Sequence, residues 1–123
     1  MKGPLAVEQK PTIKVYYQEN RVSKKEFCFL LYGMEEEGIP YEIHPVNEQN
    51  VLDISHSAAK DSKLGVGFGI NSMEVVLHYE KLDRLSPIFR VDLQSNQQLL
   101  RALGANAARL VKRMPFKNMN DFP

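Results

Sequence analysis

The sequence predicts an α/β domain built on a mixed sheet. Three features carry this reading. A strand pattern runs into a capped helix between Thr12 and Met34, two apolar strands joined by turn residues fill Leu64 to Tyr79, and a long helical pattern runs from Ser95 to Val111. Strand-period and helix-period segments in alternation describe a sheet covered by helices.

Each element has a local cause. Residues 1–11 hold Pro4, Pro11 and mixed charge, and read as a flexible lead-in. Thr12 to Tyr17 alternates and is rich in β-branched and aromatic residues, which suits a first strand. Ser23 with Glu26 forms a capping box, and Phe27, Leu30, Leu31 and Met34 follow at helical spacing until Gly38 and Pro40 stop the helix. Tyr41 to Val46 reads as a second strand, which Pro45 assigns to the border of the sheet. Asn50 can cap a short helix through about Lys60.

Leu64 to Ile70 resembles a buried strand with glycines, and Asn71 and Ser72 turn it into an antiparallel partner at Glu74 to Tyr79. Ile88 to Leu93 is a further strand. Ser95 with Gln98 makes a second capping box for a helix carrying Leu99, Leu100, Leu103, Ala107, Leu110 and Val111, which Pro115 ends. The order is β-α-β-α-β-β-β-α. Right-handed crossovers put the first strand inside the sheet, between the second and third. The division expected is one α/β domain over 12–117 and a tail at 118–123.

At 123 residues and 43% apolar composition, one core is the natural unit. A net charge of +1 provides no global field toward nucleic acid or a membrane surface. Cys28 is the only cysteine, which excludes an internal disulfide or a cysteine-based zinc cluster. The polar start and the lack of any long uncharged apolar run point to a soluble, cytoplasmic protein.

Glu35, Glu36 and Glu37 are consecutive carboxylates at the end of the first helix, where the macrodipole is already negative. Anions there are unfavourable by about 0.3–1 kcal/mol each. Two readings stay open: a solvated acidic helix end, or a carboxylate cluster that awaits a cation from outside the chain. The cation would be a metal ion or a partner's Lys or Arg, and the carboxylates alone cannot enclose Mg²⁺.

The other motifs are weaker. Gly65, Gly67 and Gly69 lie within a strand pattern and lead into another strand, whereas phosphate loops open a helix. Close approach of a helix backbone explains them. His44, His56 and His78 are scattered and read as structural or surface residues, and Cys28 lacks any catalytic signature. Asp53 and His56 do not form the D-x-H-x-x-G pattern by which cobalamin domains present a histidine to cobalt. Arg109, Lys112, Arg113 and Lys117 complement the last helix's dipole or form a charged interface rim.

Two segments, Gly33 to Pro40 (GMEEEGIP) and Asn106 to Lys117 (NAARLVKRMPFK), together with the strands at Leu64 to Tyr79, resemble the small subunits of diol and glycerol dehydratase reactivases. The resemblance covers Thr12 to Phe116. It implies a three-layer α/β/α sandwich of anticodon-binding-domain-like type, similar to the dehydratase medium subunit. Its mixed five-stranded sheet would have the order 2-1-3-4-5 with strand four antiparallel.

The resemblance also implies a non-catalytic accessory subunit, commonly two copies paired with two of a large ATP-hydrolysing subunit. By exchanging with the dehydratase medium subunit, it would let damaged cobalamin leave under ATP/ADP control. Glu36 matches a residue that reaches Mg²⁺ held with nucleotide on the large subunit, with Glu35 and Glu37 in support; no cofactor is implied for the small subunit itself. Residence in a bacterial microcompartment and self-association when isolated are compatible with the family. Arg113 stands where a glycine is common, and the lead-in is longer than usual. Competing readings are a structural subunit of the dehydratase itself, and a free-standing α/β enzyme or small-ligand binder. The first is disfavoured by the short chain and missing cobalamin motif, the second by the absence of a nucleophile-base or metal constellation.

Overall fold

A computed structural model describes residues 10–122. The lead-in expected over 1–11 lies almost wholly outside the described residues. Strand β1 (Ile13–Gln18) leads through a single 3₁₀ turn at Lys24–Phe27 into α1 (Cys28–Glu36). Then follow β2 (Tyr41–Val46), α2 (Val51–Asp61), β3 (Val66–Ile70), β4 (Glu74–Tyr79), β5 (Phe89–Asp92) and α3 (Gln97–Lys112), with a last 3₁₀ turn at Met119–Asp121.

The sheet order is β2-β1-β3-β4-β5. β1 pairs in parallel with both β2 and β3, and β4 is antiparallel to β3 and β5. This is the expected mixed sheet, with β1 inside and the proline-bearing β2 at the border. Pro45 faces Tyr17 in the register and leaves no inner strand short of a donor.

Alternation along the strands divides the sheet into two faces. Ile13, Val15, Val66, Phe68, Ile70, Val75 and Leu77 join Phe27, Leu30, Met34, Leu100 and Leu103 in one core beneath α1 and α3. The other face carries α2. A Cβ on Gly67 would strike Ala58 and Ala59, and one on Gly69 would strike Ser55 and Val51, so the glycines exist to seat α2 directly on β3.

α1 and α3 cross as closely on the opposite face. A Cβ on Gly33 would collide with the Arg101 carbonyl, and one on Gly104 with the Leu30 carbonyl. Only glycine at both positions permits backbones this near. The contacts Leu30 to Gly104 and Glu37 to Arg109 advance together along both helices, so α1 and α3 run in the same direction.

Two expected helix starts are adjusted. The Ser23 N–H donates to Glu26 Oε2 at 2.8 Å as the capping box requires, but the first turn is 3₁₀ and α1 proper begins at Cys28. For α3 the cap is Asn96, whose Oδ1 accepts from the Leu99 N–H at 2.7 Å. Ser95 is unavailable as that cap because its hydroxyl donates to the Asp92 carbonyl at 2.6 Å in the turn after β5.

Both helices on this face end alike. Gly38, at φ +78°, lets its own N–H reach the Glu35 carbonyl and the Ile39 N–H reach the Met34 carbonyl, a Schellman closure. Arg113 performs the same turn after α3 at φ 59°, with Met114 N–H on the Arg109 carbonyl.

Candidate functional site

The acidic tip is built by the end of α1. Glu35 and Glu36 lie in its last turn, and Glu37 is already the C-cap. Because α3 runs alongside in the same direction, its basic last turn arrives at the same place.

The three carboxylates have different surroundings. Glu35 Oε2 accepts a 2.5 Å bond from the Tyr41 hydroxyl. Burial first, and then this bond, push the Tyr41 phenol up to about 12. Glu37 is only 13% exposed and accepts from Lys112 Nζ at 2.7 Å and from Arg109 Nε at 3.2 Å. The Lys112 bond foremost holds its carboxyl below the usual range; partial burial opposes this, and the bond and charge of Arg109 add to it. Glu36 is 49% exposed and lies 3.2 Å from Arg101 Nε. That contact misses hydrogen-bond geometry, and the buried Arg101 Nε has no hydrogen-bond partner.

Of the two readings left open, neither holds as stated for the whole tip: the chain's own cations pair Glu37 firmly and lie beside Glu36, and Glu35 is bonded to Tyr41. The chain supplies Arg101, Arg109 and Lys112 from α3. The physical reason is topological: α1 and α3 cross on one face, so the acidic last turn of α1 meets Arg101 from the early part of α3 and Arg109 and Lys112 from its last turn. Residues 101, 105, 109 and 112 share one helical stripe, so the signal was present as spacing. What the sequence withheld was the direction of α1 beside it.

The remaining predicted residues are distributed differently. Arg109 and Lys112 join Glu37, while Arg113 forms the left-handed turn after α3. Lys117 is held through its backbone: Asn106 Oδ1 accepts from its N–H at 2.7 Å and Asn106 Nδ2 donates to its carbonyl at 3.1 Å. Sequence reasoning gave no role to Arg101 or to the Asn106 amide.

Away from the tip, His56 and His78 rings meet at 4.8 Å, a pairing invisible in their spacing. His78 is fully buried, with Nε2 3.0 Å from the Arg84 carbonyl and Nδ1 accepting from the Tyr79 N–H. On the β1–β2 flank, Lys14 donates to Glu42 at 2.7 Å and Tyr16 to Asp61 at 2.6 Å. Among the described residues no group of three or more His, Cys, Asp or Glu could hold a metal ion. No helix among them is long and apolar enough to cross a membrane.

The donor set thus fits one role toward Mg²⁺ and excludes another. Among the described residues there is no enclosing site, but the half-exposed Glu36 can present one oxygen to an ion held by other groups.

Comparison with known proteins agrees with this fold. Residues 10–117 match the family model described as the dehydratase medium subunit. The chain is 41% identical over 93 residues to the diol dehydratase-reactivating factor small subunit of Klebsiella michiganensis, covering 74% of this chain and 73% of that protein. It is 38% identical to the propanediol dehydratase-reactivating factor small subunit of Salmonella typhimurium, covering 74% and 78%. Among solved structures, a diol dehydratase-reactivating factor complexed with ADP and Mg²⁺ superposes with a TM-score of 0.84 at 33% identity, over 89% of this chain and 100% of that one. A glycerol dehydratase reactivase superposes with a TM-score of 0.86 at 28% identity, over 90% and 100%. The chain belongs to the dehydratase medium-subunit family, among the small subunits of diol and glycerol dehydratase-reactivating factors.

Proposed function

We propose that this accessory subunit assembles with a larger, ATP-hydrolysing subunit, and that Glu36 presents its carboxylate to Mg²⁺ held there with nucleotide. The observation that carries the reading is the contrast within the acidic tip. Glu37 is doubly paired and nearly covered and Glu35 is bonded to Tyr41, whereas Glu36 is half exposed with one poorly aligned partner. Mg²⁺ bound with nucleotide would neutralise phosphate charge, and Glu36 would supply one oxygen from this side of the interface. A relative of the same fold with ADP and Mg²⁺ supports the pairing of nucleotide and metal with such factors.

The match to the dehydratase medium-subunit model supports the rest of the cycle: a chain of that shape can take the medium subunit's place in the dehydratase, loosening it so that damaged cobalamin leaves. ATP and ADP on the large subunit would set which complex is favoured, with two copies of each subunit in the assembled factor. Arg109 and Lys112 stand at the tip on Glu37, and together with Arg113 and Lys117, which follow them in the chain, would form the rim of that contact.

The test is reconstitution. Mixed with a reactivating-factor large subunit, ADP and Mg²⁺, the chain should elute in a stable complex, with ATP hydrolysis in the mixture and none in the chain alone. Glu36→Gln should keep the fold and weaken assembly. Unchanged assembly and reactivation by Glu36→Gln would remove Glu36 from the interface. The family model's description also favours a second reading, a structural subunit of the dehydratase itself. In that case the chain would be required for diol turnover rather than for its recovery.

A further inference from the structure

We infer that Arg101 competes with Mg²⁺ for Glu36, holding the carboxylate in the free chain and releasing it on assembly. The inference rests on the reading of Glu36 above and adds a residue to it.

The geometry shows a contact that is held but not locked. Arg101 Nε sits 3.2 Å from Glu36 Oε2 without the alignment of a hydrogen bond, and that nitrogen is buried with no other acceptor. A buried donor left without a partner is unfavourable, so this arrangement gains little from the pairing. Glu37, one residue away, receives well-placed donors from two cations. The two neighbouring carboxylates are thus treated differently by the same helix: one is fixed into the fold and the other is only parked.

Arg101 does not depend on Glu36 for its position. Its carbonyl abuts Gly33 at the helix crossing, and its guanidinium lies over the Phe29 ring with 5.8 Å to the centroid. The backbone is fixed, the stem rests on an aromatic face, and only the charged end must shift. Both side chains of the pair are nearly half exposed, at 42% and 49%. An ion pair so exposed is weak enough for a divalent cation to displace.

The exchange balances simply. Glu36 leaves the guanidinium and takes a coordination position from one water, while Arg101 keeps its proton throughout. The Mg²⁺ requirement for assembly is then set partly by Arg101.

The experiment measures complex formation with the large subunit and ADP as Mg²⁺ is titrated, by sedimentation velocity. Arg101→Met keeps a stem on Phe29 and removes the charge. It should lower the Mg²⁺ concentration at half-assembly by about two- to five-fold, the range of an exposed ion pair. Arg101→Lys keeps a cation and should stay near wild type, and it serves as the folded control if the methionine variant is unstable. Glu36→Gln should raise the Mg²⁺ requirement, and adding Arg101→Met to it should change nothing more, since both act on one pair. An unchanged or raised midpoint in Arg101→Met, with Glu36→Gln still shifted, overturns the competition and leaves the Glu36 reading standing. A silent Glu36→Gln overturns both.

Discussion

Arg109 reaches across from α3 to set its Nε 3.2 Å from Glu37 Oε2, joining the ends of two helices that are far apart in sequence. Lys112 completes the cap from the next turn, contacting both the Glu37 carboxylate and its backbone carbonyl. The carboxylate thereby closes α1 onto α3.

Glu37→Gln should lower stability by about 1 kcal/mol, because the side chain keeps its hydrogen-bonding shape but loses charge assistance from two cations. The pH dependence has a definite sign. The folded-state carboxyl is held below its ordinary value of 4.5. Its contribution is thus fully present above about pH 4.5 and is lost as pH falls through the lower folded value. Denaturation midpoints of wild type and variant should converge in acid; a constant difference from pH 7 to pH 3 would refute this.

Legibility in the sequence followed the range of the interactions. The β3 glycines were readable as a strand under a helix because Gly67 and Gly69 sit at strand period beside an alanine-rich helix. Crossover handedness placed β1 between β2 and β3 and the hairpin placed β4 beside β3, whereas the full order β2-β1-β3-β4-β5 was implied only by the family resemblance. The α1–α3 crossing was not readable: Gly33 and Gly104 each lie inside an ordinary helical pattern, and nothing local says that they meet. The pairing of the acidic tip was hidden for the same reason, since Arg109 and Lys112 lie on α3. The start of α3 was ambiguous because Ser95 and Asn96 are both good caps, and only the turn after β5 engages the serine.

Gly104→Ala should be among the most damaging single changes, although alanine is the better helix former. Its methyl group would be driven into the Leu30 carbonyl, which is backbone and cannot swing aside. Overpacking of this kind costs about 1–3 kcal/mol. Urea denaturation should show that loss, and a neutral or stabilising effect would mean that the helices are not this close.

Arg113→Gly should stabilise the chain. Arg113 adopts φ 59° and ψ 41°, a left-handed conformation that is unfavourable by roughly 1–2 kcal/mol for a residue with a Cβ. Glycine removes that strain but gives up about 0.5–1 kcal/mol in unfolded-state freedom, leaving a net gain of about 0.5–1 kcal/mol. If thermal stability rises while assembly with the large subunit weakens, the arginine is retained for contact at the rim. If both are unaffected, the left-handed turn is not strained.

Asn106 governs the segment after α3. It is fully buried, and its amide pairs with both backbone groups of Lys117 while Nδ2 also lies 3.3 Å from Met119 Sδ. One side chain thus acts as a strand edge for the tail, drawing Met119 against the core. Asn106→Leu matches the volume but removes both bonds, and the Lys117 N–H and carbonyl must then find water. The expected loss is about 1–3 kcal/mol. The local effect should be larger than the global one: backbone amides of residues 117–122 should lose hydrogen-exchange protection while β3 and α1 keep theirs. Retained protection at Lys117 would show that packing of Met119, rather than the amide, holds the tail in place.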